Sequence, residues 1–268
     1  MKRYRRHPAT FGSIWLDSIA GKVNLDSFRS HGPFVWQHRH DRTAYERSYA
    51  DLADRYGSLA ASATEDGAFG ARCEDVDGKK VSRDLLDSVA EIGFIESVVG
   101  PLDDADILDI GAGYGRLGHR LHELGPPGCR VRCVDGVPIA SHVCARYLSY
   151  RGATSATTVA LDEVSQSLAD RPASMASNVH SFSEMPLTAI DWWLRLLADH
   201  EVDMLFLVPN EIGDLRSTEP NGRRVGFDEL LGKYGFALVH EGLKYRGEPS
   251  SFDDSFVFQD EHLLFARR

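Results

Sequence analysis

Asp109, Asp135, Asp162, His180, Glu184 and Glu211 each stand at or shortly after the end of a short apolar run of the sequence. Carboxylates and an imidazole at such positions suit two tasks: gripping hydroxyl groups or a cation, and moving a proton near neutral pH. His180 is the first candidate for a general base, with Glu184 or Glu211 as the carboxylate that orients its ring. A rival arrangement uses Glu184, Asn210 and Glu211 as oxygen donors to a divalent cation that acidifies a bound hydroxyl.

These residues need a sheet to bring them together, and the stretch from Ala105 to Arg120 supplies its centre. Ile107, Leu108 and Ile110 read as a strand buried on both faces. Gly111, Gly113 and Gly115 then let the backbone turn closely, and Arg116 to Leu124 continues as a helix. Two registers of the glycines are open. Gly113, Gly115 and Gly118 give the G-x-G-x-x-G spacing in which a helix start meets a pyrophosphate, as in NAD enzymes. Gly111, Gly113 and Gly115 instead follow Asp109, a carboxylate that repels a pyrophosphate but suits a cationic ligand. A second strand, Val131 to Val134, delivers Asp135 at roughly the ~20-residue offset where an acid takes ribose hydroxyls.

In this second register the turn resembles motif I of the class I S-adenosylmethionine-dependent methyltransferases, an acid followed by Gly-x-Gly. The resemblance implies a cofactor cradle of Asp109, Gly111, Gly113, Tyr114 and Asp135, with Asp162 after the third strand receiving the adenine amine. The segment Asn178 to Pro186, at the end of a strand over Met175 to Val179, resembles the signature of a bacterial sugar O-methyltransferase family. That likeness implies a hydroxyl of a sugar or glycosylated small molecule as methyl acceptor.

Further elements follow from periodicity. Tyr45, Tyr49, Leu52, Tyr56 and Leu59 predict one amphipathic helix from about Thr43 to Leu59, with Tyr45 and Tyr49 in the core. Glu65 to Lys80 reads as a loop, and Ser82 caps a helix that runs to Val99 before Gly100-Pro101. Downstream, helices over Pro138–Tyr150, Glu163–Ala169, Leu187–Leu197 and Phe227–Tyr234 alternate with strands at Thr157–Ala160, Asp203–Val208, Phe236–Glu241 and His262–Ala266. Ile212 to Arg224 reads as a long loop, and Lys244 to Phe256 as polar and flexible. Trp192 and Trp193 offer a face for a sugar ring or for the core. Near the N-terminus, Phe11 to Ala20 suggests an amphipathic helix, and His31, Trp36, Gln37, His38, Arg39, His40, Asp41 and Arg42 form a patch that suits a lid.

Composition bounds the rest. A net charge of -10 argues against nucleic-acid binding, and 268 residues with 43% hydrophobic content bury a full core without a membrane span. Cys73, Cys129, Cys133 and Cys144 show neither a C-x-x-C pair nor zinc spacing, which suits reduced, cytoplasmic thiols. The expectation is an α/β, Rossmann-like seven-stranded sheet with an antiparallel last strand, residues 82–268, preceded by a helical N-terminal lid, residues 1–81. An NAD-dependent oxidoreductase and a non-catalytic cofactor-binding protein remain the alternatives.

Overall fold

The computed structural model describes residues 4–10, 13, 23–30, 34, 41–247 and 256–268. Apart from Ser13, the predicted helix at Phe11–Ala20 lies outside the described residues, as do the patch residues His31 and Trp36 to His40. Short 3₁₀ turns at Tyr4–Arg6, Pro8–Thr10 and Phe28–Ser30 precede α1 (Arg42–Arg55) and α2 (Gly57–Ser62). The sequence predicts one helix here; it divides at Tyr56, whose backbone is non-helical (φ -132°) and is followed by the poor helix former Gly57. Tyr45 is buried, as its spacing predicts, and Tyr49 donates its hydroxyl to the Ala60 carbonyl.

The expected loop at Glu65–Lys80 holds a hairpin, β1 (Cys73–Val76) and β2 (Lys79–Ser82). Its two-residue turn, Asp77-Gly78, takes φ 52° and 80°, the left-handed pair that Asp-Gly favours in tight hairpins. Ser82 then caps α3 (Arg83–Val99), accepting from the Leu85 N–H at 3.1 Å, and Gly100 ends it with φ 83°.

From there strand and helix alternate as predicted, with one short helix, α7, added: β3 (Asp106–Ile110), α4 (Arg116–Leu124), β4 (Arg130–Val134), α5 (Pro138–Arg151), β5 (Ala156–Thr158), α6 (Val164–Asp170), β6 (Met175–Val179), α7 (Ser181–Glu184), α8 (Leu187–Asp199) and β7 (Met204–Val208). The supposed loop after β7 contains a second small hairpin, β8 (Arg216–Thr218) and β9 (Arg224–Gly226). The chain closes with α9 (Asp228–Lys233), β10 (Phe236–Leu243) and β11 (Glu261–Arg267).

The main sheet has seven strands in the order β10-β11-β7-β6-β3-β4-β5, parallel except for β11, which runs antiparallel to both neighbours. This is the predicted Rossmann-like arrangement. Strand order reverses between β3 and β6, so the carboxyl ends of these two strands flank the crevice where such sheets take their ligands. One apolar cluster packs α8 and α6 against the sheet, including the fully buried Trp193; a second packs α3, α4 and α5 on its other face. Among the described residues no helix is long and apolar enough to cross a membrane.

Helix α3 fits its neighbours through a missing side chain. A Cβ on Gly93 would stand 2.4 Å from Tyr56 Cγ, so the Tyr56 ring lies directly on the helix backbone. Gly93→Ala should therefore destabilise the protein by about 1–3 kcal/mol in denaturant titration, despite the better helix propensity of alanine. In a Tyr56→Ala background the same change should become neutral or stabilising; equal losses in both backgrounds would disprove the packing account.

Candidate functional site

The glycine turn is built by hydrogen bonds from three strands. The N–H groups of Gly111 and Ala112 donate to the Val134 carbonyl at 2.8 and 3.1 Å, fastening the turn to the end of β4. Asp135 accepts from the Gly113 N–H at 2.9 Å and from the Val137 N–H at 2.7 Å. Asn178, fully buried at the end of β6, donates to the Ile110 carbonyl and accepts from the Phe182 N–H, both at 2.8 Å. Gly111, with φ 76°, is where the start of α7 and the turn meet: a Cβ there would lie 2.1 Å from Ser181 Oγ. Gly118 lets α4 approach the sheet, since its Cβ would come within 2.7 Å of Cys133 Sγ.

Asp109 on β3, Asp135 just past β4 and Glu184 on α7 carry carboxyl groups that are each pushed upward. Burial, opposed by the Ser177 hydroxyl that donates to it at 2.9 Å, raises Asp109 to about 7. Burial raises Asp135 to about 6 against the two N–H groups it accepts from. Glu184 rises to about 7, again through burial, with His180 and Asn210 working the other way. The charge of Asp135 contributes to the rise of both Asp109 and Glu184. A cation entering here would relieve all three, whereas a pyrophosphate would add to the repulsion.

His180 sits just past β6 in a left-handed conformation (φ 65°), held by its N–H on the Val208 carbonyl at 2.7 Å. Its hydrogen-bonding carboxylate is neither Glu184 nor Glu211 but Asp260, with Nε2 at 3.3 Å from Oδ1. Glu211 is exposed and lies 3.8 Å from Arg224. Among the described residues no group of three or more His, Cys, Asp or Glu side chains could hold a metal ion; of the three oxygen donors considered, Asn210 hydrogen-bonds Glu184 while Glu211 faces Arg224. Asp162 is exposed within the 3₁₀ turn Leu161–Glu163, close enough to His7 for their charges to interact. Tyr114 is buried and donates its hydroxyl to Asp84 on α3, so only its backbone belongs to the turn.

Parts of the N-terminal region reach the same edge of the sheet. Phe34 Cδ1 lies 3.6 Å from where a Gly113 Cβ would project, and the Thr10 methyl 2.6 Å from that of Gly136. Trp193 is core, while the half-buried Trp192 meets the His7 ring edge-on at 4.7 Å.

The largest feature that sequence reasoning missed lies beneath the turn. Helix α3 carries Asp84, Asp87 and Glu91 on buried positions, each matched by a base from elsewhere. Arg29 Nε meets Asp84 at 2.9 Å, Arg116 grips Glu91 through two nitrogens at 2.7 and 2.9 Å, and Lys244 Nζ meets Asp87 at 2.5 Å. Lys244 and Tyr245, expected in a polar, flexible stretch, are both fully buried because these partners take the ammonium group out of water. The signal was present as charges at helical spacing in an otherwise apolar segment.

Neither a family model nor a curated relative matches the sequence. Solved structures do. Magnesium protoporphyrin IX methyltransferase (ChlM) from Synechocystis PCC 6803, with bound SAH, aligns over 98% of this chain and 100% of its own, with TM-score 0.50 and 13% identity. A SAM dependent methyltransferase from Aquifex aeolicus aligns over 66% of this chain and 89% of its own (TM-score 0.47, 13% identity). The mitomycin 7-O-methyltransferase MmcR aligns over 68% and 54% (TM-score 0.48, 17% identity). At these identities the likeness is one of fold: the chain has the Rossmann-like fold of class I S-adenosylmethionine-dependent methyltransferases.

The raised Glu184 gives a test of the site's electrostatics. A carboxyl whose folded value lies above its unfolded one stabilises below the unfolded value and loses that contribution as pH rises through the folded one. With Glu184 at about 7, wild type should lose stability relative to Glu184→Gln between pH 5 and pH 8. The difference should grow by about 2 kcal/mol, read as a widening gap in Tm favouring the variant at the higher pH. Parallel curves would show that Glu184 is solvated.

Proposed function

We propose that this chain is an S-adenosylmethionine-dependent O-methyltransferase acting on a hydroxyl of a sugar or glycosylated small molecule. The observation that carries the reading is a glycine turn at the reversal of strand order that follows the buried Asp109 of β3, with its N–H groups tied to the end of β4 and to the Asp135 carboxylate. Such a site favours a positively charged ligand over the phosphates of NAD. The sugar acceptor rests on the resemblance of the Asn178–Pro186 segment.

When bound, S-adenosylmethionine supplies an electrophilic methyl carbon on a sulfonium. The chain's own residues would do the rest. Asp135 would exchange the Gly113 N–H for ribose hydroxyls, and Asp162 would face the adenine. The strand ends would hold the acceptor in line, which is where much of the rate in such displacements originates. His180 would take the proton from the acceptor hydroxyl, a contribution of ~10² to 10⁴-fold. Residues 1–81 would serve as the cover, with Phe34 over Gly113 and Thr10 over Gly136.

Calorimetric titration tests the cofactor half: S-adenosylhomocysteine should bind and NAD should not. Asp135→Ala should weaken that binding about 10- to 100-fold, the range for losing hydrogen bonds to a charged group. Binding of NAD alone would replace the assignment with an oxidoreductase. For the acceptor half, radiolabelled methyl transfer to methyl glucoside, galactoside and rhamnoside should give a labelled product, and His180→Ala should lower it at least ~100-fold without changing S-adenosylhomocysteine affinity.

A further inference from the structure

We infer that Asp260 is the positioning residue of this site. It fixes His180 as the Nε2–H tautomer, so that Nδ1 is the nitrogen that receives the proton of the acceptor hydroxyl. The inference deepens the methyl-transfer reading and rests on it for its catalytic part; its structural part stands alone.

The argument starts from donors and acceptors. A carboxylate only accepts, so the imidazole nitrogen facing Asp260 Oδ1 at 3.3 Å must carry a hydrogen. In the neutral ring the other nitrogen then holds the lone pair. Asp260 cannot swing away, because its second oxygen accepts from Lys244 Nζ at 2.8 Å. Lys244 in turn donates to Asp260 and to the Phe258 carbonyl, the latter at 2.5 Å, and its charge is paired with Asp87, whose Oδ1 lies 2.5 Å from Nζ, so the ammonium group is held from three sides. The carboxylate is thus clamped in one orientation with one oxygen facing His180.

The backbone on both sides of this contact is strained. His180 (φ 65°) and Phe258 (φ 58°) are non-glycine residues in the left-handed region, at a cost on the order of 1–3 kcal/mol each. Arg83 lies 4.0 Å over the Phe258 ring and 3.1 Å from Asp87, so the segment that carries Asp260 is pinned from α3. Burial works to raise the Asp260 carboxyl, but Lys244, then His180 and Arg83, hold it well below the usual carboxylate range. With Lys244 beside it, the carboxylate stays ionised and acceptor-only. During transfer the O–H electron pair stays on the acceptor oxygen, the proton moves to Nδ1, and the resulting imidazolium faces the Asp260 charge.

The test is a two-bond proton–nitrogen correlation spectrum of the full chain labelled with ¹⁵N-histidine, with His180 assigned by its disappearance in His180→Asn. Wild type should show a pyrrole-type Nε2 and a pyridine-type Nδ1. In Asp260→Asn, Lys244 still demands an acceptor, so the new amide should turn its oxygen to Lys244 and its NH₂ group to His180, inverting the tautomer. Methyl transfer to the glycoside probes should then fall at least ~100-fold while S-adenosylhomocysteine affinity holds. A wild-type ring protonated on Nδ1, or an Asp260→Asn protein with undiminished transfer, would overturn the inference. If Asp260→Asn does not fold, the wild-type spectrum decides alone. A wild type that ignores S-adenosylhomocysteine yet shows the Nε2–H tautomer would sink the methyltransferase reading and leave the clamp standing.

Discussion

The structure depends on charges placed in a helix that is otherwise hydrophobic. Thirteen consecutive residues of α3, Arg83 to Ile95, are buried, and among them Asp84, Asp87 and Glu91 recur at spacings that put them near one face. Bringing each carboxylate out of water costs several kcal/mol unless a partner meets it. Arg29, Lys244 and Arg116 come from the N-terminal region, the end of β10 and the start of α4, three segments far apart in sequence. Such a lattice adds little net stability compared with apolar packing, but each missing partner would be expensive. It therefore specifies one assembly: α3 can dock only where all three bases arrive together, and that docking places the glycine turn and the His180 side of the crevice in register.

Much of the fold was legible because its signals are local. The run Ile107 to Ile110, the glycines behind it and the helix from Arg116 form one continuous pattern, and the elements from β3 to β7 lie where periodicity puts them, with small shifts at their ends. The antiparallel β11 followed from the resemblance rather than from spacing. The β1–β2 hairpin was missed although Asp77-Gly78 is a strong turn signal, because its strands are charged and only four residues each. The break at Tyr56 was missed because the apolar spacing runs on across it.

The site was legible in part for the same reason. Asp109, Asp135 and His180 sit at strand ends, and strand ends can be read from sequence; Asp260 cannot be read that way. It lies eighty positions from His180 and is brought there by β11 returning antiparallel through the sheet. Lys244 looked like a solvated loop residue, and only its three partners, at Asp87, Phe258 and Asp260, explain its burial. Pairings that depend on how distant segments close against one another leave no periodic trace.

The two glycines that open α4 have a consequence of another kind. Cys144 Sγ sits 2.7 Å from the position of a Gly115 Cβ, and Cys133 Sγ equally close to that of Gly118, with the two thiols hydrogen-bonded to each other. Both are buried and unoxidised. An alkylating reagent can reach them only when the helix lifts from the strand, so the chain carries its own clock: the rate at which these sulfurs become reactive measures how often the glycine turn comes apart.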